Sequence, residues 1–361
     1  MTVTTPTRTA LIPGVSLQAR RLPRWTPYAI VVVASAVAYV VIYLENVLGG
    51  GVAMTVVAAA VLFLVLLGVT ARVVEGSRSA RNRLATSWVY GVFILAALPL
   101  ISVVRTLIVN GHALLNMQFL THSMRNITPF EKDGGAYHAI IGTLQQAGIA
   151  AIITIPLGIA CAIYMVEYGR GRLAGAVRFF VDVMTGIPSI VCGLFILAFW
   201  VTVISPYFND GRPAYSGFAA ALALSVLMLP TITRSSEEML RLVPAALREG
   251  AYALGIPKWK TILKIVLPTA ATGIVTGIML AIARACGETA PVLLVAGATD
   301  SINNNPFSGN QESLSVFIYT QAGSAAKYGV PRAWSAALTL VVIVLALTIT
   351  AKLIARRSKL K

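Results

Sequence analysis

Residues 52–70 read VAMTVVAAAVLFLVLLGVT, a run without a charged residue. The hydrocarbon core of a bilayer is about 30 Å thick and takes about 20 mostly apolar residues as a helix, so this run reads as one transmembrane span. The same reading repeats outward from it. Further apolar stretches run from Tyr28 to Tyr43, Ser87 to Ile108, Ala139 to Tyr164, Pro188 to Ile204, Gly217 to Thr233, Leu267 to Leu294 and Ala333 to Ala351. Composition agrees: the 361 residues are 57% hydrophobic and only 12% charged, too few charges for a chain built for water. The expected fold class is all-α, a polytopic transmembrane helix bundle of about eight spans.

The first stretch follows Arg20, Arg21 and Arg24 and carries small residues at Ala34 and Ala36, which is also the pattern of a signal peptide. It continues without interruption into Tyr39, Val40, Val41 and Ile42, so it is read as an uncleaved helix. An even number of spans places both termini on one side. The 29 basic residues test that against 13 acidic ones. Arg8, Arg20, Arg21 and Arg24 precede the first span, and Arg72, Arg78, Arg81 and Arg83 fall in the second loop. Arg170, Arg172 and Arg178 fall in the fourth, and Arg234, Arg241, Arg248, Lys258, Lys260 and Lys264 in the sixth. The C-terminal tail adds Lys352, Arg356, Arg357, Lys359 and Lys361. Lys and Arg collect on the cytoplasmic side of membranes, so both termini are expected there. The net charge of +16 is then topology and attraction to anionic lipid headgroups, and nucleic acid is not needed to explain it. Cys161, Cys192 and Cys286 lie in apolar stretches without CxxC spacing, which argues against a disulfide framework or a zinc site.

Three loops are long. Asn110 to Tyr137 is external, with His112, His122, Glu131 and Asp133; the histidine spacing does not suit one helix face, and the loop is read as solvated. Asp300 to Pro331 is also external, and its polar run Asn303 to Asn310 reads either as a connector or as a partner surface. The cytoplasmic loop Arg234 to Lys264 differs. Pro244 suits a first helical turn, Ala245 to Leu254 is helix-forming, and Gly255 followed by Pro257 ends a helix. A second short helix from Trp259 is expected to be stopped or kinked at Pro268. The loop has the shape of a docking element, although an amphipathic hairpin lying on headgroups would show the same pattern.

Within this loop Glu249, Gly250 and Ala251 are followed after three residues by Gly255, and after nine more by Ile265, Val266, Leu267 and Pro268. The stretch resembles the EAA loop of bacterial ABC-importer permeases, with Gly250 in place of the first alanine. The resemblance implies that the loop seats in a groove of an ATP-hydrolysing subunit, with Glu249 and Gly255 coupling nucleotide-driven closure to the membrane helices. The chain contains no Walker A pattern, so ATP is assigned to another polypeptide.

Charges inside spans are functional candidates by default. Arg284 and Glu288 stand four apart in the run Ile274 to Leu294, where they can neutralise one another as a structural pair. Gly287 and Pro291 break the same run, and such breaks are tolerated where backbone lines a cavity or is packed in protein. A guanidinium beside a cavity matches the oxygens of phosphate or sulfate, so an oxyanion is the expected cargo. Ser189, at a helix start after Thr185, Gly186, Ile187 and Pro188, is a weaker anion candidate. Arg234 is a candidate or a cytoplasmic anchor. Gly273 and Gly277 form a GxxxG, read as helix packing.

Arg284, the run Gly287-Glu288-Thr289-Ala290-Pro291, the Tyr164 to Arg170 stretch ending Glu-Tyr-Gly-Arg, Pro188-Ser189-Ile190-Val191 and the EAA loop together are similar to the A-type permease of the bacterial phosphate-specific ABC importer. Thr289 and its neighbours favour the A-type over the C-type. The resemblance covers about residues 87–361, a type I permease domain with its coupling loop at 234–268. Residues 1–86, a cytoplasmic tail and two additional helices, are extra to the pattern. It implies a heterodimer with a C-type permease subunit, two ATPase subunits that carry ATP and Mg, and an extracytoplasmic phosphate-binding protein. It also implies inorganic phosphate as substrate and a multi-pass place in the bacterial inner membrane, with no cofactor or metal on this chain. Arg284, Arg234 and Glu288 match family positions linked to phosphate passage, and Ser189 and Thr289 complete the expected path. An intramembrane protease using Ser189 lacks a histidine inside a span. A secondary carrier leaves the EAA spacing unexplained, and sulfate or molybdate would use the same physics as phosphate.

Overall fold

The computed structural model describes residues 22–44, 51–128, 130–169 and 171–357. Arg8, Arg20, Arg21, Arg170, Lys359 and Lys361, counted above in the charge pattern, lie outside them. Among the described residues the regular structure is helical. Seven helices are long and apolar enough to cross a membrane, and Thr26–Val41 is a shorter apolar helix. The chain is a multi-pass membrane protein.

Two compact units divide at Val103 and Val104. In the first, α1 (Thr26–Ala38) runs on as a π-helical turn (Tyr39–Leu44) and packs on α2 (Val52–Glu75). Ile30, Ala34 and Ala38 recur every four residues on the buried face of α1, where the small Ala34 and Ala38 let the helices approach. Glu75 closes the unit: it accepts from Arg83 at 2.6 and 2.7 Å, from Ser79 at 2.7 Å and from the Leu22 amide at 2.6 Å. Arg83 belongs to α3 (Ser77–Gly111).

The second unit holds α4 (Met117–Thr121), α5 (Tyr137–Ile163, continued by a π turn Tyr164–Tyr168), α6 (Arg172–Gly186) and α7 (Ser189–Ile196). There follow α8 (Gly217–Arg241), α9 (Ala245–Ala253), α10 (Lys258–Thr261), α11 (Leu267–Gly287), α12 (Ala290–Ala296), α13 (Leu314–Ala322) and α14 (Gly329–Arg357). The core forms around α8, which packs against α5, α6, α7, α11 and α12. Ala219, Ala220, Ala221 and Ala223 are fully buried there, small residues that let five helices crowd one. Gly273 and Gly277 of α11 face Met239 and Ser235 of α8, so the GxxxG is a packing device.

The structure departs from expectation at one proline and meets it at another. Pro268 does not stop its helix: α10, a π turn (Ile262–Val266) and α11 run as one element from Lys258 to Gly287. The wider π turn directly before the ring accommodates the missing N–H and the steric demand of proline. The run Leu267 to Leu294 is broken where Gly287 and Pro291 were read to break it: the backbone of Glu288 is extended (ψ 127), and α12 begins afresh with Pro291 in its first turn.

The two long loops expected to be external are more ordered than their sequence suggests. In Asn110 to Tyr137, Asn116 caps α4 by accepting from the Phe119 amide at 2.7 Å, and Phe119 and Met124 enter a second core with Ala136, Leu314 and Phe317. The buried Arg332 of α14 donates to the carbonyls of Glu131 and Asp133, each at 2.7 Å. The apolar residues every few positions fold the loop down, while His112 and His122 stay exposed. Residues 311–317 pack inward, while the polar run 303–310 stays mostly exposed. Gln311, Glu312 and Ser313 are buried, and the Leu314 amide donates to Thr143 at 2.7 Å.

Candidate functional site

At one end of the bundle the EAA loop is a preformed projection. Val243 and Leu240 tuck under it, Pro244 caps α9, and Gly255 takes φ +73, a left-handed conformation open to glycine at no steric cost. That turn lets the Gly255 and Ile256 amides bond back to Tyr252 and Ala251 at 2.9 and 3.1 Å, closing the helix. Ala251 is buried, whereas Glu249, Gly250 and Gly255 are exposed. Leu242, Leu254 and Trp259 are also exposed, forming an apolar rim around the loop. Ile265, Leu267 and Pro268 lie beyond the projection, in the continuous helix that leads from it into the bundle.

Beneath the loop two charge clusters appear that the sequence reading did not single out. In the first, the Glu237 side chain is 3% exposed and accepts from Arg234 at 2.7 Å and from Arg241 at 2.6 Å, while Arg178 of α6 stands at 3.6 Å. Arg234 also pairs with Asp182 of α6. Arg234 is therefore an engaged member of a network, not a free anchor. In the second, Arg248 of α9 donates to Glu167 at 2.9 Å and to the carbonyls of Val243 and Leu240 at 2.6 and 2.9 Å. Lys258 donates to the Glu167 carbonyl and lies 4.6 Å from the centroid of the Tyr168 ring.

Further along α11, Arg284 and Glu288 meet at 3.2 Å. The pair is uneven: the arginine side chain is 60% exposed and the glutamate 17%. Its bond to Glu288 uses Nε, so neither terminal nitrogen takes part in the pair. Ser315 fixes the break by donating to the Glu288 carbonyl at 2.7 Å. Thr143, Gln146, Cys286, Ser313 and Ser315 line a narrow crevice with Glu288. Thr289 is the N-cap of α12 without a capping bond from its side chain, and Ser189 opens α7 behind Pro188. The two helices are adjacent, with Gly193 against Pro291.

The expected residues therefore form separate groups. Arg284, Glu288 and Thr289 are together. Among the described residues no hydrogen bond or ion pair joins Arg234 or Ser189 to them. Since Ser235 faces Gly277 and Met239 faces Gly273, α8 and α11 are antiparallel, and Arg234 lies about 9 Å along the axis from the level of Arg284 at about 1.5 Å per residue. His138 lies in the first turn of α5, where it is buried, 3.5 Å from Glu312 and edge-on to Phe317.

A helix bundle with a preformed EAA projection at one end and a broken helix bearing an outward arginine is the architecture of a transport permease. Residues 154–360 match the family described as binding-protein-dependent transport system inner membrane component. The chain is 46% identical over 278 residues to phosphate transport system permease protein PstA 1 of Mycobacterium tuberculosis (strain CDC 1551 / Oshkosh), covering 77% of this chain and 89% of that one. It is 35% identical over 286 residues to phosphate transport system permease protein PstA of Haemophilus influenzae (strain ATCC 51907 / DSM 11121 / KW20 / Rd), covering 78% and 96%. A crystal structure of a bacterial alginate ABC transporter in complex with alginate pentasaccharide-bound periplasmic protein has a chain similar at TM-score 0.56 and 15% identity, over 77% of this chain and 95% of that one. That likeness bears on the fold alone. The chain belongs to the binding-protein-dependent inner-membrane permeases, and within them to the PstA family of phosphate transport system permeases.

Proposed function

We propose that this chain forms half of the translocation path of an ATP-driven phosphate importer in the bacterial plasma membrane. The observation that carries this reading is Arg284: an exposed guanidinium at a helix break, held by one bond to Glu288, in the same continuous element that leads out of the EAA loop. Residues 87–361 act as the permease domain, with the coupling loop at 234–268. Residues 1–86 contribute the tail and two added helices. The distribution of basic residues supports a cytoplasmic position for both termini and the EAA loop.

In this reading a C-type permease completes the path, and an extracytoplasmic binding protein delivers phosphate. Two ATPase subunits carry ATP and Mg. Glu249, Gly250 and Gly255 meet an ATPase groove, aided by the apolar rim of Leu242, Leu254 and Trp259. Closure of the ATPases displaces the loop, and the continuous helix from Lys258 to Gly287 carries that displacement to Arg284. A desolvated anion needs a partner there, but tight binding would trap it. Glu288 provides the balance by competing for the same guanidinium. Arg234, bound to Asp182 and Glu237, acts lower on the path.

ATP-dependent uptake of labelled phosphate into vesicles holding the full complex tests the reading, comparing wild type with Arg284→Gln and adding sulfate or molybdate as competitor. Loss of uptake with the complex assembled is the expected result. Unchanged uptake removes Arg284 from the path, and competition by another oxyanion replaces the substrate.

A further inference from the structure

We infer that Glu167 is a positioning residue that makes α5 a second transmission rod, linking the EAA loop to the 303–314 segment at the opposite end of the bundle. The inference rests on the transport reading above and adds a route that does not pass along α11. Two cations from separate limbs of the loop converge on one short stretch: Arg248 of α9 bonds the Glu167 carboxylate at 2.9 Å, and Lys258 of α10 bonds its carbonyl and covers the Tyr168 ring. The Glu167 side chain is 6% exposed and that of Arg248 17%, so their attraction is less screened than a surface pair. Arg248 also ties down the carbonyls of Leu240 and Val243. The loop cannot shift as a unit without pulling on Glu167 or breaking this knot.

From Glu167 the helix runs without a break back to Tyr137, about 48 Å for the 32 residues of Tyr137–Tyr168 at about 1.5 Å each. The π turn at Tyr164–Tyr168 is where it is most readily deformed. At its other end α5 is bonded again. Gln146 donates to the Gln311 carbonyl at 3.0 Å, Gln311 donates to Gln145 at 2.5 Å, Thr143 accepts from the Leu314 amide, and His138 faces Glu312. The next residue of that segment, Ser315, holds the Glu288 carbonyl. One continuous helix, with Pro156 inside it, thus joins the loop to the segment that fixes the partner of Arg284. Loop displacement reaches the arginine from both sides of the break, along α11 directly and along α5 through residues 303–315.

The test measures ATP hydrolysis and phosphate uptake together in vesicles holding the full complex, with Glu167→Gln, Arg248→Gln and the charge-exchanged pair E167R/R248E. The expected result is that each single variant keeps ATP hydrolysis within about twofold while phosphate moved per ATP falls about tenfold, a coupling loss equal to about 1.4 kcal/mol. The exchanged pair restores the ratio. An unchanged ratio in the single variants overturns the inference. So does a parallel fall of both activities that the exchanged pair does not repair, since that marks a structural contact. Wild-type vesicles that hydrolyse ATP yet move no phosphate would instead refute the substrate reading, and the ratio is then measured with the oxyanion they do move.

Discussion

Glu237, itself buried, lies one helical turn from Arg234 and holds its guanidinium at 2.7 Å, while Asp182 closes on the same group. A buried carboxylate that serves Arg178, Arg234 and Arg241 is the acceptor on which three like charges depend. Glu237→Ala is expected to destabilise the helix pair α6 and α8 by about 1.5–3 kcal/mol, the range for bonds to charged groups. Glu237→Gln keeps an acceptor oxygen and is expected to cost less. Thermal unfolding of the purified complex in detergent measures both, and equal melting of Glu237→Ala and wild type would remove the network from the stability of the protein.

Gly255 and Gly250 sit in the same exposed loop with opposite demands. Gly255 has φ +73, so Gly255→Val is expected to cost about 1–2 kcal/mol in backbone strain and to reduce co-purification of the ATPase. At Gly250, within α9, an added Cβ would meet nothing within 4 Å. Gly250→Ala is expected to raise loop stability by about 0.5–1 kcal/mol through helix propensity and to leave ATPase binding intact. Pull-down of the ATPase by each variant separates the two effects.

The spans and the EAA loop were legible because each is a local pattern: an apolar run of bilayer length, or a fixed spacing of glutamate, glycine and proline. Glu237 carried a readable signal too, standing three residues from Arg234 and four from Arg241. The bond between Glu167 and Arg248 carried none, since 81 residues separate them and either alone is an ordinary charge near a span end. The break at Gly287 and Pro291 was legible, whereas Pro268 does not stop its helix, for a physical reason. Pro268 has the stronger local signature, but a π turn accommodated it, whereas Glu288 is held extended by Ser315 from a distant segment.

At Gly277 a side chain has no room, because any Cβ would run into Ser235 of α8. Gly277→Val is expected to force α8 and α11 apart, at about 1–3 kcal/mol for overpacking, and to lower the yield of assembled permease. Gly148→Ala on α5, where a Cβ meets nothing within 4 Å, is the matched control. Size-exclusion profiles of the two variants give the comparison.

Among the described residues Arg332 is the largest fully buried side chain, and its bonds to the Glu131 and Asp133 carbonyls hold the loop that carries Phe119. Arg332→Met keeps most of the bulk and removes both bonds. The loop is then expected to open, and limited proteolysis should cut within residues 122–135 at least several times faster than in wild type, because cleavage follows the population of the open form. Unaltered cleavage would assign the hold to Phe119 and Met124.

Glu288 offers the sharpest test of how the path works. Its carboxylate occupies Nε of Arg284 at 3.2 Å and cancels part of the charge an incoming anion would feel. Glu288→Gln removes the negative charge and keeps a hydrogen-bond acceptor, so phosphate should bind Arg284 more tightly and leave more slowly. The expected signature in vesicle uptake is a lower KM together with a lower maximal rate, the pattern of a ground state that has become too stable. Arg284→Gln should instead depress the maximal rate with no gain in affinity. If Glu288→Gln changes neither parameter, the two residues are a structural pair and the balance that permits release lies elsewhere.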